Sequence, residues 1–211
     1  MKIIGLGHYS RTGKDSLANL LIGEIYEIDS SIIAAGQAFA YKLKLVCHDL
    51  YQNHGLRGPR FYNTPQGAEL RTQKLPTIEM SPVDIWIAVG NAIRSVDLDT
   101  WIDCVLGDET SCDVLVIPDV RYPNEVDAIR ERGGTLVKVV RTGYGPKDTV
   151  ADRALLDFDG WDYVAGPTLE ALKRDAKYLA ACVVNGENPQ QSEAMRRAIL
   201  DHEKPPLVEA A

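Results

Sequence analysis

Ile3-Ile4-Gly5-Leu6-Gly7-His8-Tyr9-Ser10-Arg11-Thr12-Gly13-Lys14-Asp15-Ser16 decides the fold. A short apolar run, Ile3 to Leu6, leads into a glycine-bounded loop. Gly13-Lys14-Asp15-Ser16 closes that loop, and an apolar-periodic stretch follows. The order predicts strand, phosphate-binding loop, helix. In such a loop the backbone N–H groups point inward at phosphate, and the following helix adds the positive end of its dipole. Lys14 would reach the β- and γ-phosphates, and the Ser16 hydroxyl would sit on Mg²⁺. The spacing departs from the strict pattern: Gly7 and Gly13 enclose five residues, and Asp15 stands between Lys14 and the hydroxyl residue. The plainer reading is a surface turn between strand and helix whose lysine is solvated.

Working outward, a chain of 211 residues suits one α/β domain with room for a small insertion. A net charge of −7 argues against a nucleic-acid polymer or an anionic membrane as the main partner. It leaves nucleotides open, since these need only a local cationic pocket. Cys47, Cys104, Cys112 and Cys182 form no Cys-x-x-Cys pair, which withholds support from zinc and redox motifs and fits a reducing cytoplasm. No run approaches the ~18 apolar residues of a membrane span, and polar residues break the amino-terminal run as no signal peptide would. His8, His48, His54 and His202 are scattered, so histidine ligation of a metal is not expected; His8, inside the loop, either touches phosphate or serves the loop's geometry.

The rest of the chain alternates strand and helix. Asp15 to about Glu27 predicts a helix with Leu17, Leu20, Leu21, Ile25 and Ile28 recurring near helical spacing. Ile32–Ala35 reads as a second strand, Gly36 as a turn, and 39–51 as a helix with Leu43, Val46, Cys47 and Leu50 inward. Lys42 and Lys44 lie in its first turns, where cations oppose the helix dipole, and either face an anionic ligand or form a solvated surface. Residues 52–80, punctuated by glycine and proline and carrying Arg57, Arg60, Arg71 and Lys74, look too polar for core and suggest a mobile lid. Pro82 starts a helix with a stripe of Val83, Ile87, Val89 and Ile93; Arg94 follows, and 100–106 makes a short helix in which Trp101 either packs or stacks on a base.

Asp113-Val114-Leu115-Val116-Ile117-Pro118-Asp119-Val120-Arg121 is the second informative stretch. Four consecutive apolar residues predict a strand buried on both faces. Asp119 falls at its carboxyl end, where open parallel sheets bind ligands. There it serves either as partner of Mg²⁺ beside a phosphate loop or as a turn cap. Arg121 points to the same crevice. A helix over 125–132 stops at Gly133-Gly134, 135–140 is a further strand ending at Arg141, and 142–160 is a polar loop. Residues 161–164 form a last strand. A helix over 169–184 follows Thr168 as N-cap, with Leu169, Leu172, Ala176 and Leu179 inward. From Asn185 polarity rises, and Pro205-Pro206 with the Ala-Ala end suggests a loosely attached tail. The whole predicts a parallel sheet with helices on both faces, the phosphate loop, Asp119, Arg121 and Arg141 all at strand ends.

Several of these pieces match one family in order: Arg11-Thr12-Gly13-Lys14-Asp15-Ser16; Phe39-Ala40-Tyr41-Lys42-Leu43-Lys44; Gly90 through Arg94 with Trp101; Ile117-Pro118-Asp119-Val120-Arg121 with Glu125; Val139-Val140-Arg141; and Gly160-Trp161-Asp162-Tyr163-Val164 with Leu169-Glu170-Ala171-Leu172. The chain resembles the bacteriophage deoxynucleoside monophosphate kinases, among the adenylate-kinase-like P-loop kinases. The likeness covers roughly residues 1–184. It implies a three-layer P-loop kinase domain over 1–184, a substrate-binding and lid region at about 36–106, and a tail over 185–211. It departs from the family where Lys42 replaces a frequent proline, and where Val150 and Arg153 stand near a frequent His and Glu.

The resemblance implies transfer of the ATP γ-phosphoryl group to the 5′-phosphate of a deoxynucleoside monophosphate, in the cytoplasm, or the host's if a phage encodes it. The acceptor oxygen is already anionic, so positioning and charge neutralisation carry the catalysis. Lys14, Arg11 and Arg121 are the implied catalytic residues; Arg11, Thr12, Gly13, Lys14, Asp15, Ser16 and Arg141 the ATP-binding set. Gly36, Lys44, Arg94, Trp101, Asp119, Arg121 and Glu125 are the implied substrate set, with Mg²⁺ on Ser16 and Asp119. A homodimer is left open. Two alternatives stand beside this: a kinase of the same fold for another phosphorylated acceptor, such as phosphomevalonate or dephospho-coenzyme A, and a nucleotide-binding regulatory module.

Overall fold

The computed structural model describes residues 1–107, 111–147, 149–191 and 193–201. The chain folds as two compact units: Met1–Gln37 with the described part of 110–211, and the described part of 38–109. In chain order the first unit contributes β1 (Lys2–Gly7), α1 (Lys14–Ile28) and β2 (Ala34–Gly36). The second holds α2 (Phe39–Tyr51), α3 (Pro65–Leu70), α4 (Pro82–Arg94) and α5 (Thr100–Ile102). The first then resumes with β3 (Val114–Val120), α6 (Pro123–Glu131), β4 (Thr135–Val139), α7 (Val150–Arg153), β5 (Tyr163–Ala165), α8 (Leu169–Asn185) and α9 (Glu193–Asp201).

The strands pair in parallel in the order β2-β3-β1-β4-β5. Side chains alternate across a strand. Ile4, Leu6, Val114, Val116, Val137, Val139, Tyr163 and Ala165 therefore share one face, packed on Leu17, Leu21 and Ile25 of α1 and Leu172, Ala176 and Leu179 of α8. On the other face Gly5 lies against Ile129 of α6, while Val140 and Val164 meet Ile199 of α9. The result is the expected α/β architecture of a parallel five-stranded sheet with helices on both faces. Leu17, Leu21 and Ile25 are fully buried at four-residue spacing, and burial of each stabilises by about 1.5–3 kcal/mol.

Opposite Leu6, β3 carries one residue too many. Gly5 pairs with Ile117 and Gly7 with Val120, so Pro118 and Asp119 together face a single residue. Proline has no N–H to give the ladder and is tolerated at such bulges, which re-aim side chains beside functional sites. The bulge breaks the strand's strict alternation at Asp119.

The second unit has its own core of Leu43, Cys47, Leu56, Tyr62, Ile85, Trp86 and Trp101. It corrects the reading of 52–80 as too polar for core: Leu56 and Tyr62 are buried, and Pro65–Leu70 is a helix whose N-cap, Thr64, accepts the Gly67 N–H. Single apolar residues between turns can still enter a core, although they show no periodicity. On α4 the buried set is Pro82, Ile85, Trp86 and Gly90, and Ile87 of the expected stripe is exposed. Leu50 and Leu169, both expected inward, are also exposed. The expected helix over 100–106 is a short α-helical turn followed by a wider π turn over Asp103–Gly107.

The described residues of 185–201 are docked where a loose tail was expected. Gln191 brackets the edge strand: its Oε1 accepts the Val164 N–H at 2.9 Å and its Nε2 donates to the Val164 carbonyl at 2.8 Å. Arg196 donates to the carbonyls of Trp161 and Asp159 at 3.0 and 2.9 Å. A sheet edge with open N–H and C=O groups is thereby covered. The Pro205-Pro206 and Ala-Ala end lies outside the described residues.

Candidate functional site

The loop between β1 and α1 starts at a glycine for a steric reason. A Cβ on Gly7 would lie 2.3 Å from Cη2 of Trp161, so no larger residue fits there. The loop then turns through left-handed backbone at His8 (φ 102°), Arg11 (φ 65°) and Gly13 (φ 101°). Positive φ at non-glycine residues is uncommon and clusters at ligand-binding loops. Gly13 is the N-cap of α1, which places Lys14, Asp15 and Ser16 in the first helical turn, where backbone N–H groups lack intrahelical partners. Arg11, Asp15 and Ser16 are exposed, and Thr12 is buried.

Lys14 is folded into the loop. Its Nζ donates to the His8 carbonyl at 3.1 Å, to the Tyr9 carbonyl, and to Thr12 Oγ1 at 3.4 Å. Thr12 Oγ1 in turn donates to the Tyr9 carbonyl at 3.1 Å. Burial brings the Lys14 ammonium down to about 7, and the Arg121 charge pushes the same way. Asp15, Asp152 and Asp119 oppose both. His8, beside it, is buried and held down to about 2 by desolvation and by the charges of Lys138 and Lys14, so its ring is neutral. One cation and three carboxylates thus act on one ammonium at the carboxyl ends of β1 and β3.

Arg121 is held at both ends. Its backbone N–H donates to Glu125 Oε2 at 2.6 Å, and the Tyr122 N–H shares that oxygen at 3.1 Å. Its guanidinium Nη1 pairs with Asp152 Oδ1. Glu125 is 2% exposed and caps the start of α6, so it bears on the site through Arg121. Arg141, after β4, donates from Nη1 to the Arg11 carbonyl at 3.4 Å, and its guanidinium lies 4.4 Å from the Tyr144 ring centre.

The first unit therefore brings together Arg11, Thr12, Gly13, Lys14, Asp15, Ser16, Asp119, Arg121, Glu125 and Arg141. Gly36 lies in the same sheet, at the end of β2, paired with Val116. Lys44, Arg94 and Trp101 belong to the second unit. There Lys44 Nζ lies 5.2 Å from the Trp86 ring centre, and Arg94 ends α4. Trp101 is 3% exposed and donates from Nε1 to the Gly90 carbonyl at 3.5 Å, so its ring is core.

Among the described residues no group of three or more His, Cys, Asp or Glu side chains could hold a metal by itself. Mg²⁺ commonly takes one or two carboxylates and completes its shell with phosphate and water. The Asp119 carboxylate, close enough to act on Lys14, and the Ser16 hydroxyl are hard oxygen donors of that kind. No helix among the described residues is long and apolar enough to cross a membrane.

Sequence reasoning passed over Asp152. It lies in the segment read as a polar loop, yet it is 5% exposed. Its signal was local: Thr149-x-x-Asp152 is a capping pattern, and Thr149 Oγ1 does accept the Asp152 N–H at 3.2 Å.

No protein-family model matches the chain. The chain is similar to a protein of Acanthamoeba polyphaga mimivirus named "Putative deoxynucleotide monophosphate kinase", at 28% identity over 166 residues, covering 71% of this chain and 79% of that protein. Two solved structures align along most of the chain. One is a sugar kinase from Janibacter sp., unliganded, with 10% identity over all of this chain and 82% of its own, at a TM-score of 0.30. The other is a "putative plasmid partition protein" from Borrelia burgdorferi bound to AMPPNP, with 12% identity over 95% of this chain and 96% of its own, at a TM-score of 0.29. Likeness at those TM-scores is too slight to argue from.

Proposed function

We propose that the chain is an ATP-dependent kinase of deoxynucleoside 5′-monophosphates, converting dNMP and ATP to dNDP and ADP. The observation that carries the reading is the meeting of Lys14, Asp119 and Arg121 at the ends of two adjacent parallel strands, beside a loop of left-handed turns that opens a helix. That layout suits anions carrying several charges. The similarity to the mimivirus protein supports the acceptor.

In this reading Lys14 leaves the carbonyls of His8 and Tyr9 for phosphate oxygens and follows the transferred group. The loop N–H groups and Arg11 hold the donor phosphates, and Arg141 lies toward the adenine. Arg121 offers its planar fork to the phosphates between which the group moves, neutralising the charge crowding that makes the barrier. Lys44, Arg94, Trp101 and Gly36 are assigned to the monophosphate, Trp101 by shaping its surroundings from the core. Ser16 and Asp119 would hold Mg²⁺, which would supply charge neutralisation at the donor phosphates when bound. The donor phosphoryl group leaves ADP and joins an acceptor oxygen that already carries negative charge, so no protein base is required.

The test is ADP release from ATP and Mg²⁺ with a panel of dNMPs and NMPs. Release that depends on an added deoxynucleoside monophosphate is the expected result. Release independent of any monophosphate would sink the kinase reading, and release only with a non-nucleotide phosphate acceptor would replace the acceptor class.

A further inference from the structure

Outside the residues already assigned, one side chain of the first unit is buried, charged and bonded to two separate parts of the site. Asp152 is contributed by α7, whose N-cap Thr149 fixes its backbone. Both carboxylate oxygens are engaged. Oδ1 accepts the Ser10 N–H at 3.2 Å and the Arg121 guanidinium; Oδ2 accepts the Ser10 hydroxyl at 3.3 Å and the Lys147 N–H at 3.1 Å. The crevice lined by His8, Tyr9, Val120, Arg121, Ala151 and Leu155 around it has no room for a water molecule.

A carboxylate beside an anion site has two opposite uses. It can stand in for the ligand and leave when the ligand arrives, or it can stay and hold a cation in place. Here the carboxylate has four donors, lies in a crevice too narrow for water and sits on a capped helical turn, all of which favour staying. The pair with Arg121 engages Nη1, and a guanidinium carries five N–H donors, so the fork retains donors for an anion. One bond fixed in advance removes part of the rotamer entropy that a long side chain loses on binding.

We propose that Asp152 is a positioning residue: it ties the phosphate loop at Ser10 to Arg121 and presents the Arg121 guanidinium to the phosphate groups of the bound ligand. The claim rests on the phosphate-binding reading of this site, and it acts through Arg121.

The experiment compares wild type with D152N, R121K and the double variant. It uses tripolyphosphate binding by calorimetry and, in parallel, kcat and KM for ATP with the preferred monophosphate. Coulomb's law alone predicts that removing a carboxylate next to an anion site tightens anion binding. Positioning predicts the opposite sign. D152N should weaken tripolyphosphate roughly tenfold and lower kcat more than it raises KM, and in the R121K background it should add almost nothing. Tighter binding in D152N, or fold-changes that multiply in the double variant, would overturn the proposal. Thermal melts show which proteins fold; if D152N does not, D152E, which keeps the charge but moves it, completes the same cycle in both backgrounds. Absence of turnover in wild type with every acceptor would count against the kinase reading, while the tripolyphosphate cycle would still decide the role of Asp152.

Discussion

Glu125 Oε2 accepts the backbone N–H of Arg121 at 2.6 Å, four residues upstream of it in the chain. The same oxygen takes the Tyr122 N–H, so one buried carboxylate ends β3, starts α6 and fixes the backbone that carries Arg121. Glu125→Ala leaves two N–H groups without that partner. Loss of a cap of this kind costs about 0.5–2 kcal/mol. Chemical denaturation should show a loss in that range together with lowered turnover, and Glu125→Gln, which keeps an acceptor oxygen, should recover most of the stability. Wild-type stability in Glu125→Ala would remove the cap from the account.

His8 gives the fold a pH dependence of defined sign. Its ring is held at about 2 in the folded protein against 6.5 unperturbed, first by burial and then by Lys138 and Lys14. Between those values the unfolded chain binds a proton that the folded chain refuses. Stability is therefore intact above about pH 7.5 and falls progressively as pH drops below 6.5, by up to about 1.4 kcal/mol per pH unit for one full proton. Asparagine tolerates positive φ, so His8→Asn should flatten the decline in urea midpoint between pH 7 and about 5. Equal slopes for the two proteins would contradict a buried neutral ring.

Lys14→Ala separates chemistry from folding. A buried ammonium is costly to desolvate, so its removal should leave the fold intact by circular dichroism and thermal melting. The transferred phosphoryl group would lose its cation, and turnover should fall by at least about 10²-fold, in line with the loss of one charge-stabilising donor. Retained wild-type rates would take Lys14 out of the mechanism.

The sheet was legible because its signals are local. Val114–Ile117 is an uninterrupted apolar run, Gly13-Lys14 follows a strand and opens a helix, and Gly133-Gly134 ends α6. The bulge at Asp119 was not read from the sequence, although Pro118 stands in it. What escaped depends on contacts between distant residues. Asp152 meets Arg121 across 31 positions and Ser10 across 142, and no periodicity reports either. Gln191 docking on β5 and the burial of Leu56 and Tyr62 escaped for the same reason: isolated residues in polar surroundings acquire their partners only when the chain closes. For Trp101, open between packing and stacking in the sequence, burial and the bond to Gly90 decide for packing.

The central claim is that the chain moves a phosphoryl group from ATP to a deoxynucleoside monophosphate. The most direct measurement incubates the protein with ATP labelled at the γ-phosphate, Mg²⁺ and each dNMP in turn, and separates the products. The account predicts label in the β-position of a dNDP, abolished in Lys14→Ala. Label appearing only as inorganic phosphate, whatever monophosphate is supplied, would contradict it.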